Sequence, residues 1–329
     1  MLKIRLASQG YSVALACGAA LSLFAPGCGT KEKGTDGESS VGGGGYVVQG
    51  SGGGSNIGGD GGPIAAVWPP TGYTNVTDVS VGAYALGPDI SSGTVPTNTG
   101  TGCSGLYGVV RDFKMGTSAD GHPDFETAPA TTRPITGIVE TTLGADGKPV
   151  YANPDSTITT NAGLHGQAAF DEWYHDTSGV NMTYIVALKL GALNSVATFA
   201  ASKSNGGGLP DSSFFPLDGA GFGNETQPHN FSFTTEIHTS FTYKGGETFT
   251  FKGDDDVWVF IDKKLVIDLG GRHGQLQQTV NLDTLGLTLT SVYDLAVFHA
   301  ERHTSESNFQ IQTTLAFTNC GQVNGVTIN

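Results

Sequence analysis

The 329-residue chain is poor in positive charge: 16 Lys and Arg stand against 30 Asp and Glu, for a net charge of −14. No basic patch or arginine-rich run interrupts the acidity. Without one the phosphates of a nucleic acid cannot be neutralised, so nucleic acid is excluded as a partner. Cations and neutral sugars suit such a chain better. Cysteine is scarce, at four residues, and no CxxC pair occurs, so the usual zinc and redox spacings are absent. Beyond the N-terminal region no apolar run approaches the roughly 20 residues a membrane span requires. Helical periodicity is weak throughout, and no internal repeat of fixed period is visible.

What is present begins with an export signal. Lys3 and Arg5 precede a small, apolar stretch, Tyr11 to Ala25, that ends in Ala25-Pro26-Gly27-Cys28. The stretch is too short to span a bilayer and has the organisation of a signal peptide. Small residues ahead of Cys28 resemble a bacterial lipobox, in which the cysteine becomes the lipidated N-terminus. Cys17 is a second candidate, and plain secretion is the alternative. The expectation is a signal over residues 1–28 and an envelope protein exposed at the surface, touching the membrane through its N-terminal lipid only. Residues 29–64 are Gly- and Ser-rich with hardly any apolar side chain, which predicts a flexible, disordered tether. Residues 65–102 carry some apolar content and read as a partly ordered lead-in. Cys103 and Cys320 bracket the remainder, residues 103–320. In an oxidising compartment they can pair and tie the ends of one domain together; two unpaired thiols are the alternative.

Residues 103–320 are dense in strand signals. TEIHTSFTYKGGETFTFKG alternates apolar and polar residues around Gly245-Gly246 and predicts a β-hairpin. Val257 to Ile261 reads as a strand, Lys263-Lys264 as its turn, and Leu265 to Ile267 as the return strand. Val292–Ala300 and Phe309–Phe317 are two more, and short helices are expected near Gly166 to His175. Trp258 and Phe260 fall on the opposite face from Val257, Val259 and Ile261, and one of these sets is expected to be core. Many short strands with Gly-rich turns indicate an all-β sandwich or jelly roll with long loops.

The motifs GDDDVWVFIDKKLVIDLGGRHG, VNLDTLGLT and VFHAERHTSESNF, with VVRDFK, GHPDFE and FFPLDGAGFG upstream, resemble the fibro-slime domain over roughly residues 106–317. That family is similar to the PA14 domain, a β-sandwich of toxins, glycosidases and cell-surface adhesins. The resemblance implies an extracellular domain but no single activity. In PA14-type adhesins an adjacent Asp pair, often joined by a cis peptide, binds calcium, which in turn holds sugar hydroxyls. Asp254 and Asp255 match that pair, with Asp256 as a third carboxylate.

The chemistry is sound in itself, because Ca2+ takes about 6–8 oxygen ligands and converts carboxylate repulsion into attraction. The bland alternative is a solvated turn in which an Asp caps backbone amides. The second ligand group is expected from the 299–308 loop, with Asn308 first and Glu301 next. Arg302 is expected either to pair with an Asp of the cluster or, with His303 and His273, to face the ligand. HAERH is not the zinc-peptidase motif, since Glu301 lies two residues after His299 and the context is a strand.

Three functions follow. The first is a calcium-assisted lectin or adhesin that binds an extracellular glycan or a surface component. The second is a structural envelope or matrix domain without a sugar ligand. The third is a glycoside hydrolase, which needs two carboxylates roughly 5–9 Å apart. No such pair is assignable, so no enzyme activity is expected.

Overall fold

The computed structural model describes residues 83–85, 103, 105–126, 130–193, 196–200, 214–323 and 326–328. The signal, Cys17, Cys28, the tether and most of the 65–102 lead-in lie outside the described residues. Among the described residues no helix is long and apolar enough to cross a membrane.

The strands are β1 (Ala83–Ala85), β2 (Gly105–Phe113), β3 (Asn181–Lys189), β4 (Gly191–Leu193), β5 (Val196–Ala200), β6 (Phe233–Thr242), β7 (Thr248–Gly253), β8 (Asp256–Ile261), β9 (Lys264–Leu269), β10 (Leu276–Asn281), β11 (Val292–Glu301), β12 (Phe309–Thr313), β13 (Ala316–Phe317), β14 (Gly321–Val323) and β15 (Val326–Ile328). They form a large antiparallel sheet in the order β1-β3-β2-β6-β11-β8-β9, with β13 also on β6, and a smaller one in the order β10-β7-β12-β5-β4. β14 and β15 pair as a ribbon. The all-β sandwich expected from the strand pattern is the observed architecture. The large sheet also takes in β1, a strand of the lead-in, through its pairing with β3. Cys103 and Cys320 are joined by a disulfide, their Cα atoms 5.2 Å apart.

The two sheets pack through Val257, Val259, Ile261, Ile237 and Val297 on one side and Phe249, Phe251, Phe309 and Ile311 on the other. The opposite face of the large sheet is also buried. There Trp258, Phe260 and Phe298 pack against Phe125, Phe170, Trp173 and Tyr174 from the segment between β2 and β3. This corrects the expectation that only one face of β8 is core: every residue of β8 is buried, because a third layer of loops and two short helices covers the outer face. Helix α1 (Ser156–Ala162) was not legible in the polar run STITTNA. Its ends are set by Asp155, whose side chain caps the amides of Thr157 and Ile158, and by Gly163 in the left-handed conformation. Helix α2 (Gln167–Asp171) lies within the expected helical stretch.

A second correction concerns the hairpin expected around Gly245-Gly246. β6 belongs to the large sheet and β7 to the small one, so this connection crosses between layers. Alternation fits strands of two facing sheets as well as it fits a hairpin, because each has one face to the core. The β8–β9 hairpin is present, with its turn one residue earlier than expected: Asp262 and Lys263 both have positive φ, 50° and 64°, as a two-residue primed turn requires.

Candidate functional site

Two more crossings between layers meet at one end of the sandwich. β7 leaves the small sheet at Gly253 and β8 enters the large sheet at Asp256, so Asp254-Asp255 is the corner. β11 leaves the large sheet at Glu301, and the 302–308 loop carries the chain to β12. Ala300 pairs with Asp256 and Phe309 pairs with Gly253, which stacks one corner on the other. The approach is close: a Cβ on Gly253 would stand 2.2 Å from the Asn308 carbonyl oxygen, so only glycine fits there. The Asp254–Asp255 peptide is cis, as is Thr304–Ser305.

The three aspartates have separate partners. Asp254 accepts from the Asn308 amide at 2.6 Å and from Asn308 Nδ2 at 2.8 Å. Asp255 accepts from the Arg302 amide at 2.9 Å. Asp256 accepts from Arg302 Nε at 2.8 Å and Nη2 at 2.7 Å, and from the Gly271 amide. His299, deep in the core, places its Nε2 2.7 Å from the Asp254 carbonyl. Its pKa is pushed down to about 4 by burial, so the ring is neutral and Nε2 donates.

Arg302 is fully buried. Besides Asp256 it donates to the carbonyls of Asp124 and Ala162, at 2.8 and 3.2 Å, and it stacks 4.5 Å over Trp173. The guanidinium thus bolts the outer cover and the C-terminus of α1 to the sheet. This corrects the expectation of Arg302 as a ligand-facing residue in favour of the ion-pair alternative. Asp256 is corrected with it: both of its oxygens are taken by Arg302 and Gly271, leaving none aimed at a metal. His273 is also buried, with Nδ1 and Nε2 near the carbonyls of Gly274 and Leu269 at 3.0 and 3.1 Å, and it faces backbone rather than a ligand. His303 is part-exposed, 3.3 Å from Glu126.

Among the described residues Asp254, Asp255 and Glu301 remain without a neutralising cation of their own. All three are buried. Burial pushes the Asp254 carboxyl up to about 7, against the pull of Asn308. Asp255 stands well above the usual range, through burial and then the neighbouring Asp256, with Arg302 pulling the other way. Glu301 is likewise raised by burial and then by Asp255 and Asp254. Among the described residues no donor meets full hydrogen-bond geometry at either Glu301 oxygen; the Ser307 hydroxyl donates to the Phe214 carbonyl at 2.7 Å, and Ser307 and the His303 amide stand near enough only to pull the Glu301 carboxyl partly back down. Among the described residues no group of three or more His, Cys, Asp or Glu side chains is placed so that it could hold a metal ion. The corner therefore carries a charge demand rather than a closed coordination shell. An orphaned buried carboxylate is costly, and an oxygen-rich acidic donor set suits a hard divalent cation.

Sequence reasoning missed Glu126 in this arrangement. It takes the Thr304 amide and faces His303, fixing the 302–308 loop from 178 residues away in sequence. The only signal was its place in the GHPDFE motif.

Comparison with known proteins places the same region in context. The PA14 domain model matches residues 217–324, which include both corners but not the outer cover. Protein psiD of Dictyostelium discoideum is 45% identical over 205 residues, 59% of this chain and 39% of that protein. Protein psiC of the same organism is 43% identical over 209 residues, 60% of this chain and 39% of that one. The chain thus spans about two fifths of the length of these relatives. Among solved structures, a β-glucosidase from Kluyveromyces marxianus aligns over 25% of this chain and 11% of its own, at 13% identity and a TM-score of 0.19. That likeness is too slight to bear on function.

Proposed function

We propose that this chain is a non-catalytic extracellular binding module of the fibro-slime type, tethered at the cell surface, whose 254–255 and 301–308 corners take up calcium and through it a glycan. The observation that carries the reading is the Glu301 carboxylate, buried beside two further buried carboxylates and without a full hydrogen bond among the described residues. Asp254, Asp255 and Glu301 would supply carboxylates to the ion on drawing closer together than they stand here, with Asn308, whose amide already orders Asp254, beside them. Bound calcium supplies positive charge at this corner and open coordination positions that a vicinal diol can fill. The adjoining Ser305 and Glu306 are exposed and form the rim facing the ligand. Export, the lipid on Cys28 and the 29–64 tether complete the reading by presenting the head away from the membrane. One weak site per copy gains avidity on a crowded surface.

The test is thermal unfolding of the full chain in excess calcium and in EGTA, repeated for Asp255→Asn and Glu301→Gln, followed by a glycan array in calcium. A ligand at about 100 times its Kd that binds only the folded state adds about 2.7 kcal/mol. The expected result is a calcium-dependent rise in the wild type that both variants lose. No calcium effect would sink the metal reading. A calcium effect without any glycan retained would point to a structural envelope or matrix domain stiffened by the ion.

A further inference from the structure

The outer face of the large sheet is not covered along its whole length. A cavity of about 450 Å³ opens between the sheet and the 143–148 turn. Its floor includes three paired strands: Val109 of β2 lies opposite Glu236 of β6, and His238 of β6 lies opposite Ala296 of β11. Glu236 is buried at the bottom. It is held by Arg111 Nη1 at 2.8 Å, by His238 Nε2 at 2.7 Å and by Lys148 reaching down from the roof.

The roof is itself built. Gly144 and Lys148 are hydrogen-bonded across the turn at 2.8 Å, and Leu143 donates to the Lys263 carbonyl at 3.0 Å. A second cavity of about 440 Å³ lies on the far side of the same turn, over Pro149, Val150, Gln167 and His175. The two share Asp146, and each falls within the roughly 300–1,000 Å³ of small-molecule sites.

We propose that these two cavities, meeting across the 146–150 turn, form a calcium-independent binding site for a neutral oligosaccharide. The class follows from the lining. In the first cavity Arg111, Lys148 and Lys263 are balanced by Asp146, Glu236 and Asp294, three charges of each sign, and the second adds the acidic Asp171 and Glu172 with no Lys or Arg. An anionic ligand would meet the acidic excess of the second cavity, a cationic one would upset the balance of the partly buried first, and an apolar one would leave donors and acceptors unpaired. A hydroxyl both donates and accepts, while Val109, Leu143 and Ala145 offer apolar wall for the C–H faces of a sugar ring. Two cavities astride one turn suit an extended occupant. The hydrogen-bonded roof lowers the ordering cost of binding. No residue of this site belongs to the calcium corner, so the two readings stand or fall separately.

The test keeps calcium out. The full chain, in EGTA, is titrated with maltotetraose, cellotetraose, mannotetraose and chitotetraose, with trigalacturonate as the acidic comparison, and amide NMR shifts are followed. At least one neutral tetrasaccharide is expected to shift amides of residues 143–148 and 236–238. Its affinity is expected to fall at least about tenfold in Ala145→Trp, which fills the cavity from an exposed position, and in His238→Ala. It is expected to be unchanged in Asp255→Asn. The proposal is overturned if no neutral tetrasaccharide shifts these amides at millimolar concentration, if only trigalacturonate does, or if a folded Ala145→Trp or His238→Ala binds as tightly as wild type.

Discussion

Replacing Arg302 with Met tests the division of labour inside the acidic cluster. The side chain has no exposure, and Met keeps its length and apolar stem. The substitution removes two contacts to Asp256, the donations to Asp124 and Ala162, and the stacking on Trp173. Asp256 would be left as a fully buried carboxylate with the Gly271 amide as its remaining partner. Breaking a buried pair by removing one member costs about 3–5 kcal/mol, because the other charge stays behind. At about 2–4 °C of Tm per kcal/mol for a folded unit of this size, the melting temperature should fall by about 6–20 °C.

The double variant Asp256→Asn/Arg302→Met orphans no charge. Its cost should fall short of the sum of the two single costs by about 1.5 kcal/mol or more. The assay is calorimetric or circular-dichroism unfolding in EGTA, with the disulfide intact. A single-variant cost under about 1 kcal/mol, or strict additivity in the cycle, would refute Arg302 as the partner of Asp256 and return Asp256 to the candidate metal ligands.

Three further outcomes are expected. Gly253→Ala should destabilise by about 1–3 kcal/mol through overpacking, since its Cβ meets the Asn308 carbonyl; a neutral melting temperature would mean the corners are not stacked as described. Glu236 is held well below the usual carboxylate range by His238, Arg111 and Lys148 despite its burial. Its contribution is complete above the ordinary Glu value of about 4.3 and is lost as pH falls below it. Melting temperature between pH 7 and pH 3 should drop steeply on the acid side in wild type and less steeply in Glu236→Gln; parallel curves would count against that network. Replacing Cys103 and Cys320 with Ser opens a closure spanning 217 residues and should cost about 2–5 kcal/mol, read by denaturant unfolding against the oxidised wild type.

Much of the sandwich was readable from local pattern. Phe249 to Phe251, Val257 to Ile261 and Phe309 to Ile311 alternate or run apolar between Gly and Asp punctuation, and they are strands. Asp254, Asp255, Glu301 and Asn308 were legible as one neighbourhood through motif resemblance. The separation of β6 and β7 into different sheets was not, because a period of two states that a strand has a buried face but not which sheet it joins. Helix α1 was not, because its Thr-rich interior has no apolar stripe, and its end is held by Arg302 and Arg272, which donate to the carbonyls of Ala162 and Asn161 from far along the sequence.

The amino-acid sequence by itself determined the class of the fold, the acidic character of the molecule, and the placing of three aspartates between two strands. Those follow from residue type and spacing, which act locally. Only the tertiary structure decided what each aspartate does. Asp256 is neutralised by an arginine 46 residues away, whereas Asp254, Asp255 and Glu301 are buried without a counter-charge of their own among the described residues. The physical reason is that charge compensation depends on burial and on distance in space. Both are set by the way two chain crossings stack at one end of the sandwich, under a cover that β8 needs on its second apolar face.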